Sequence, residues 1–178
     1  MHACVYYLGS KPEYLGKLEG LINYSSSIDY KWYHAHYDKD GTKLLLGTQY
    51  APLREEFQSV EKPVHPEVKK ILVTTGNTDP NNTIGLLLEN LLKEPQLVVG
   101  NSFAHKSELM STFSTCPQIC FHEYPVKMSE LMRNVDLAIT ANGTTVYELI
   151  ASKVPVISFA MVSEQIPSAE GLASLGCI

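Results

Sequence analysis

Beyond Lys69 the chain alternates between two hydrophobic patterns. One is a short, unbroken run rich in Val, Ile and Leu: Ile71–Thr75, Gln96–Gly100, Gln118–His122, Asp136–Thr140 and Pro155–Ala160. Unbroken runs of this length mark strands buried on both faces, as in a parallel sheet. The other places apolar residues on one face of a predicted helix: Thr83–Leu92, Ser107–Phe113, Lys127–Arg133, Thr145–Ser152 and Ser168–Leu175. Strict alternation of the two predicts right-handed βαβ crossovers. The fold class is therefore α/β, a Rossmann-like parallel sheet with helices on both faces.

Before Lys69 no period is sustained. Most tyrosines lie ahead of residue 51, and Ser25–Ser27 and Asp38–Gly41 read as turns. Lys43–Gly47 predicts a short strand and Pro52–Phe57 a short helix. Glu61–Pro66, with two prolines, reads as a linker. The expected organisation is an irregular N-terminal or inter-domain segment over 1–66 and a Rossmann-like domain over 67–178. At the far end Gly176 reads as a helix C-cap and Cys177-Ile178 as the start of a strand, the pattern of a truncated chain.

Composition narrows the function. The chain has 178 residues, 44% of them hydrophobic, enough to fill one ordinary core. A net charge of −5 argues against nucleic acid, which requires Lys and Arg along a groove. It leaves a small anion open, because a cluster of backbone N–H groups binds one inside an acidic protein. Cys4, Cys116, Cys120 and Cys177 lack zinc-ribbon spacing and read as reduced thiols; no metal is expected. Met1–Tyr7 lacks the basic and apolar regions of a signal peptide, and no apolar run is long enough for a membrane span. A cytoplasmic protein is the expectation.

In a doubly wound sheet, ligands bind beyond the carboxyl ends of the strands. Two such loops carry candidate chemistry. In Thr74–Pro80, Gly76 and Asn77 accept positive φ and Thr78 adds a hydroxyl, so the loop can turn its amides towards phosphate oxygens. The same residues also make an ordinary strand–helix turn, with Asp79 as N-cap and Pro80 at N1. In Ala141–Glu148, Asn142 and Gly143 open a helix start, and Thr144 and Thr145 supply hydroxyls beside its positive end. Glu148, one turn further in, could accept the hydroxyls of a ribose. Thr145-x-x-Glu148 is equally a capping box, and the local sequence leaves the two readings open. Gln165, past the last strand, could bond a sugar. His34 and His36 have no evident carboxylate partner, and His105 and His122 read as structural. No nucleophile elbow, zinc motif or P-loop lysine is present.

Four segments, in order, resemble one family. Asn134–Leu149 resembles the ADLAI-x-x-x-G-x-T-x-x-E-L segment of the pseudaminic-acid-pathway UDP-sugar hydrolases, which act on UDP-2,4-diacetamido-2,4,6-trideoxy-β-L-altropyranose. Leu45–Phe57 resembles their LLG-x-x-YA-x-LR-x-EF segment, Ile71–Pro80 their strand and G-G-[ST]-D loop, and Met128–Met132 their M-x-x-LM helix. The match runs from about Leu21 to the end. It implies the C-terminal, nucleotide-binding half of a two-domain GT-B fold similar to the MurG-type glycosyltransferases. The family's reaction releases UDP and a free acetamido-deoxy sugar, with a His-activated water and no cofactor carried by this domain. By resemblance Gly143, Thr144 and Thr145 contact the diphosphate, Glu148 the ribose, Gln165 the sugar or phosphate side, and Gly76 and Thr78 line the facing loop.

Three departures stand out. Gly76-Asn77 replaces two adjacent glycines, and Glu164-Gln165 replaces an Asn-Gln pair, adding a carboxylate near a diphosphate. The family's N-terminal domain, with its Gly-rich loop and catalytic His, has no counterpart. The resemblance thus implies an incomplete chain that binds a UDP-sugar and turns it over weakly or not at all. A MurG-like glycosyltransferase or UDP-sugar epimerase domain remains an alternative, since the reacting groups lie on the other domain. A non-catalytic nucleotide-sugar-binding module, paired with a separate N-terminal catalytic domain, is the third reading.

Overall fold

The computed structural model describes residues 4–58, 62, 65–91, 94–99, 103–123 and 127–178. Among the described residues eight strands form two parallel sheets, so the chain is α/β. The larger sheet holds β4 (Lys70–Thr74), β5 (Glu94–Val99), β6 (Cys120–Glu123), β7 (Leu137–Ala141) and β8 (Val156–Phe159) in the order β6-β5-β4-β7-β8. Between them run α2 (Thr83–Leu88), α3 (Lys106–Thr112), α4 (Met128–Arg133) and α5 (Thr144–Ala151), and α6 (Ile166–Ser174) follows β8. Each of the ten regular elements expected after Lys69 is present, with boundaries shifted by a few residues. Leu92 and Gly100, the expected ends of α2 and β5, lie outside the described residues.

The pleat of β4 sets the layers. Ile71 and Val73 point to one face, where Ile84 and Leu88 of α2 and Leu109 of α3 pack on them. Leu72 points to the other, against Met132 of α4 and Leu149 of α5. Leu72, Met132 and Leu149 are each fully buried. Truncating such a residue to Ala typically costs about 2–5 kcal/mol, so these contacts fix which helix covers which face.

Upstream, the expectation of an irregular segment over 1–66 is corrected. β1 (Tyr6–Leu8), β2 (Gly20–Asn23) and β3 (Lys43–Leu46) form a three-stranded parallel sheet, with α1 (Tyr30–Tyr37) crossing from β2 to β3. Its core is Leu18, Leu21, Tyr33, Tyr37 and Leu46. The buried tyrosines use their polar tips: Tyr33 Oη donates to Lys11 O at 2.9 Å and Tyr37 Oη to Glu13 O at 2.8 Å. A core of tyrosines with satisfied hydroxyls has no clean apolar period, so it left no mark in the hydrophobic pattern. Pro52–Phe57 contains a single 3-10 turn, Glu55–Phe57, in place of the expected short helix.

This upstream part packs on α5 and α6. Tyr24 meets the Tyr147 ring edge-on at 5.4 Å, Ser26 Oγ donates to Ser168 O at 2.6 Å, and Phe57 joins the core under α4 and α5. At the chain end Gly176, at φ 70°, caps α6: its N–H bonds Ala173 O, and Cys177 N bonds Leu172 O. This is the paired bonding of a Schellman motif. Cys177-Ile178 form no strand; both pack against the α5–α6 cluster. Among the described residues no helix is long and apolar enough to cross a membrane.

At the amino edge of the sheet Asp136 ties β7 to β4. Its Oδ2 accepts the N–H groups of Lys69 and Lys70, each at 2.9 Å, and its Oδ1 lies 2.8 Å from His65 Nδ1. The two backbone donors, followed by His65, hold the carboxyl at about 2. A carboxyl held below its unfolded value stabilises the fold above that value, and the contribution is lost as pH falls through the folded one. Asp136→Asn should therefore lower the Tm at pH 7. The gap to the wild type should close as pH falls from about 4 to about 2 in thermal melts.

Candidate functional site

The strand order puts the two candidate loops side by side. Thr74, the last residue of β4, pairs with Thr140 of β7, and Ala141 of β7 with Phe159 of β8. The chain leaves β4 towards β5 on one side and re-enters at β7 on the other. Loops that diverge from neighbouring strands in this way open a crevice at the carboxyl edge, the topological switch point of a doubly wound sheet. The loops of Gly76, Asn77 and Thr78, of Asn142 to Thr145, and of Gln165 follow three adjacent strands: β4, β7 and β8.

In the first loop Gly76 sits at φ 91°, and its N–H reaches Thr74 Oγ1 at 3.2 Å. Nothing lies within 4 Å of where a Cβ would project from Gly76, and Asn77 and Thr78 are exposed. The neighbouring Thr75 hydroxyl is buried without a hydrogen-bond partner, the one such side-chain atom among the described residues. An orphaned buried hydroxyl costs about 1–3 kcal/mol, and such groups mark places where a ligand or water completes the bonding. Asp79 acts as a cap, though not at the expected position. α2 begins at Thr83 behind Asn82 at φ 51°, and the buried Asp79 carboxylate accepts from Thr83 N at 2.8 Å and Ile84 N at 2.9 Å. Pro80 thus precedes the helix and does not occupy N1.

In the second loop Gly143 is the N-cap of α5, extended at φ −119°, with no side-chain cap and again no atom within 4 Å of a projected Cβ. The capping-box reading fails here. Thr145 lies inside the helix, and Glu148 turns to Arg54, whose Nε donates to Glu148 Oε1 at 2.9 Å. Thr144 is exposed and Thr145 half-buried, and neither hydroxyl bonds another described residue. Their amides stand in the first turn of α5, where no intrahelical acceptor exists. The helix start thus offers N–H groups, two hydroxyls and partial positive charge to an anion. Glu148 is buried one turn below.

Asn142 and Gln165 are used internally. Asn142 Nδ2 donates to Gln165 O at 3.1 Å, and its Oδ1 accepts from Ser158 Oγ at 3.3 Å. Gln165 Oε1 accepts from Met161 N at 2.8 Å. Both residues lock the β7 and β8 loops together; the Gln165 side-chain amide nitrogen is the group left to a ligand. Glu164 is exposed beside Ser163.

Arg54, which the sequence assigned no role, completes the site from the upstream segment. Its Nη1 lies 2.8 Å from Glu56 Oε1 and its guanidinium 4.9 Å from the centroid of the Phe57 ring. The Glu148 hydrogen bond raises the Arg54 pKa. The described histidines lie on other segments of the chain. His34 does have a carboxylate partner, Asp38, at 2.9 Å, and His36 stacks on Trp32 at 4.2 Å. His105, the N-cap of α3, pairs with Glu108 at 3.3 Å, and burial lowers the His122 pKa. Among the described residues no three His, Cys, Asp or Glu side chains gather as a metal cluster.

No protein-family model matches the chain. It is similar to an uncharacterized protein of Methanocaldococcus jannaschii, 31% identical over 133 residues, which is 67% of this chain and 28% of that protein. It is similar to the spore coat polysaccharide biosynthesis protein SpsG of Bacillus subtilis, 27% identical over 149 residues, 79% of this chain and 44% of SpsG. It is also similar to the Helicobacter pylori pseudaminic acid cytidylyltransferase and UDP-2,4-diacetamido-2,4,6-trideoxy-β-L-altropyranose hydrolase, 30% identical over 148 residues, 82% of this chain and 27% of that protein. The chain therefore spans less than half the length of each of these relatives.

The two loop glycines differ physically. Gly76 needs its positive φ; Gly143 does not, and open space surrounds both. Gly76→Ala should cost about 1–2 kcal/mol in urea denaturation. Gly143→Ala should cost about 0.5–1 kcal/mol, the worth of Gly over Ala at an N-cap, without backbone strain.

Proposed function

We propose that the chain binds the nucleoside diphosphate of a UDP-sugar in the crevice between the β4 and β7 loops, as the nucleotide-sugar-binding part of a UDP-sugar hydrolase. In this reading residues 67–178 form the C-terminal half of a GT-B arrangement. The catalysed reaction releases UDP and a free acetamido-deoxy sugar for nonulosonic acid or polysaccharide biosynthesis in the cytoplasm. A separate N-terminal domain provides the second wall and the water-activating group.

One observation carries it. Two loops opened by Gly76 and Gly143 flank the switch point of the sheet, and α5 starts there with unused amides above a buried carboxylate. The diphosphate would lie on the first turn of α5, with Thr144 and Thr145 donating to it and Gly76 and Thr78 facing it. The ribose would reach Glu148. The names of the Bacillus and Helicobacter relatives, in polysaccharide and pseudaminic acid biosynthesis, agree with a nucleotide-sugar ligand.

Calorimetric titration of UDP into the chain should give saturable binding. Glu148→Gln keeps the shape and removes the charge, and should weaken binding roughly 10–100-fold, the worth of a charge-assisted hydrogen bond. Absence of UDP binding, or unchanged binding by the variant, contradicts the reading. With a UDP-sugar and the complementary domain supplied, UDP plus free sugar marks a hydrolase; transfer to an acceptor marks a transferase.

A further inference from the structure

The guanidinium of Arg54 is held on three sides. Nε donates to Glu148 Oε1 at 2.9 Å, Nη1 lies 2.8 Å from Glu56 Oε1, and the Phe57 ring centroid lies 4.9 Å from its carbon. Glu56 is itself fixed, because its Oε2 accepts from Ser129 Oγ at 3.0 Å on α4. The Glu148 side chain is 11% exposed and that of Arg54 51%, so the carboxylate lies at the inner end of the pair.

One consequence follows from this geometry. Only Oε1 of Glu148 is occupied; Oε2 accepts no hydrogen bond from a described residue. A carboxylate pinned through one oxygen presents the other in a fixed direction, and it binds a hydroxyl without first losing rotamer freedom.

We infer that Arg54 is a positioning residue for ribose recognition: it acts through Glu148, aiming Oε2 at the sugar hydroxyls of the nucleoside. The inference rests on the nucleotide site proposed above and adds a residue and a discrimination to it. It assigns the segment before β4 a part in ligand selection beyond joining the two sheets.

The test compares UDP with 2′,3′-dideoxy-UDP, which lacks both ribose hydroxyls, on wild type and Arg54→Met. The wild type should prefer UDP at least about tenfold. In Arg54→Met that preference should collapse towards one, through loss of UDP affinity alone. The dideoxy nucleotide should bind within about threefold of wild type, and so report an intact diphosphate site. Should Arg54→Met fail to fold, Arg54→Lys replaces it: a preference at least about threefold below wild type supports the role, and a wild-type preference overturns it. An undiminished preference in Arg54→Met, or equal loss of both nucleotides, overturns positioning. A wild type that binds both nucleotides equally overturns it while leaving the diphosphate site standing. A wild type that binds neither removes the underlying site as well.

Discussion

One strand pairing makes the site. β7 returns to lie beside β4 in parallel, Ile71 against Leu137 through Thr74 against Thr140. Without it the loops of Gly76 and Gly143 would stand at unrelated places on the rim. The register is held at the amino edge and in the middle of the pair. At the amino edge Asp136 takes the N–H groups of Lys69 and Lys70. In the middle Leu72 and Ala138 face one layer of helices while Val73 and Ile139 face the other. A slip of one residue would turn every one of these side chains to the wrong face, so the packing of two cores protects the juxtaposition of two loops.

The second constraint comes from outside the larger sheet. α5 carries Glu148, but its carboxylate is oriented by Arg54, 94 residues earlier in the chain. The contacts that bring Arg54 there are ordinary packing: Phe57 in the core under α4 and α5, and Leu53 beside Val146, Tyr147 and Leu172. Stability and the proposed recognition thus share one surface. A change that loosens the upstream segment from α5 also releases the carboxylate.

The larger sheet was legible in the sequence because its strands are buried on both faces and its helices on one, and such burial writes simple periods. The smaller sheet was not, because its core relies on Tyr33 and Tyr37, whose hydroxyls must reach backbone carbonyls and whose spacing follows those partners. The loops of the candidate site were also legible, since Gly76 and Gly143 punctuate strand ends. The partner of Glu148 was not. Thr145-x-x-Glu148 satisfies the local pattern of a capping box, and only the long-range contact with Arg54 decides otherwise. Asn142 belongs to the same class: its composition reads as ligand chemistry, yet its amide is spent on Gln165 and Ser158. The Thr75 hydroxyl left no signal either, because an orphaned group is defined by what surrounds it.

The most direct test of the proposed site is an amide chemical-shift titration with UDP. A site on the first turn of α5 predicts saturable shifts at Gly143, Thr144 and Thr145, with Gly76 and Thr78 following at the same concentration. Lys69 and Lys70, at the opposite edge of the sheet, should not move. Shifts absent from the start of α5, or clustered at the amino edge instead, would contradict it.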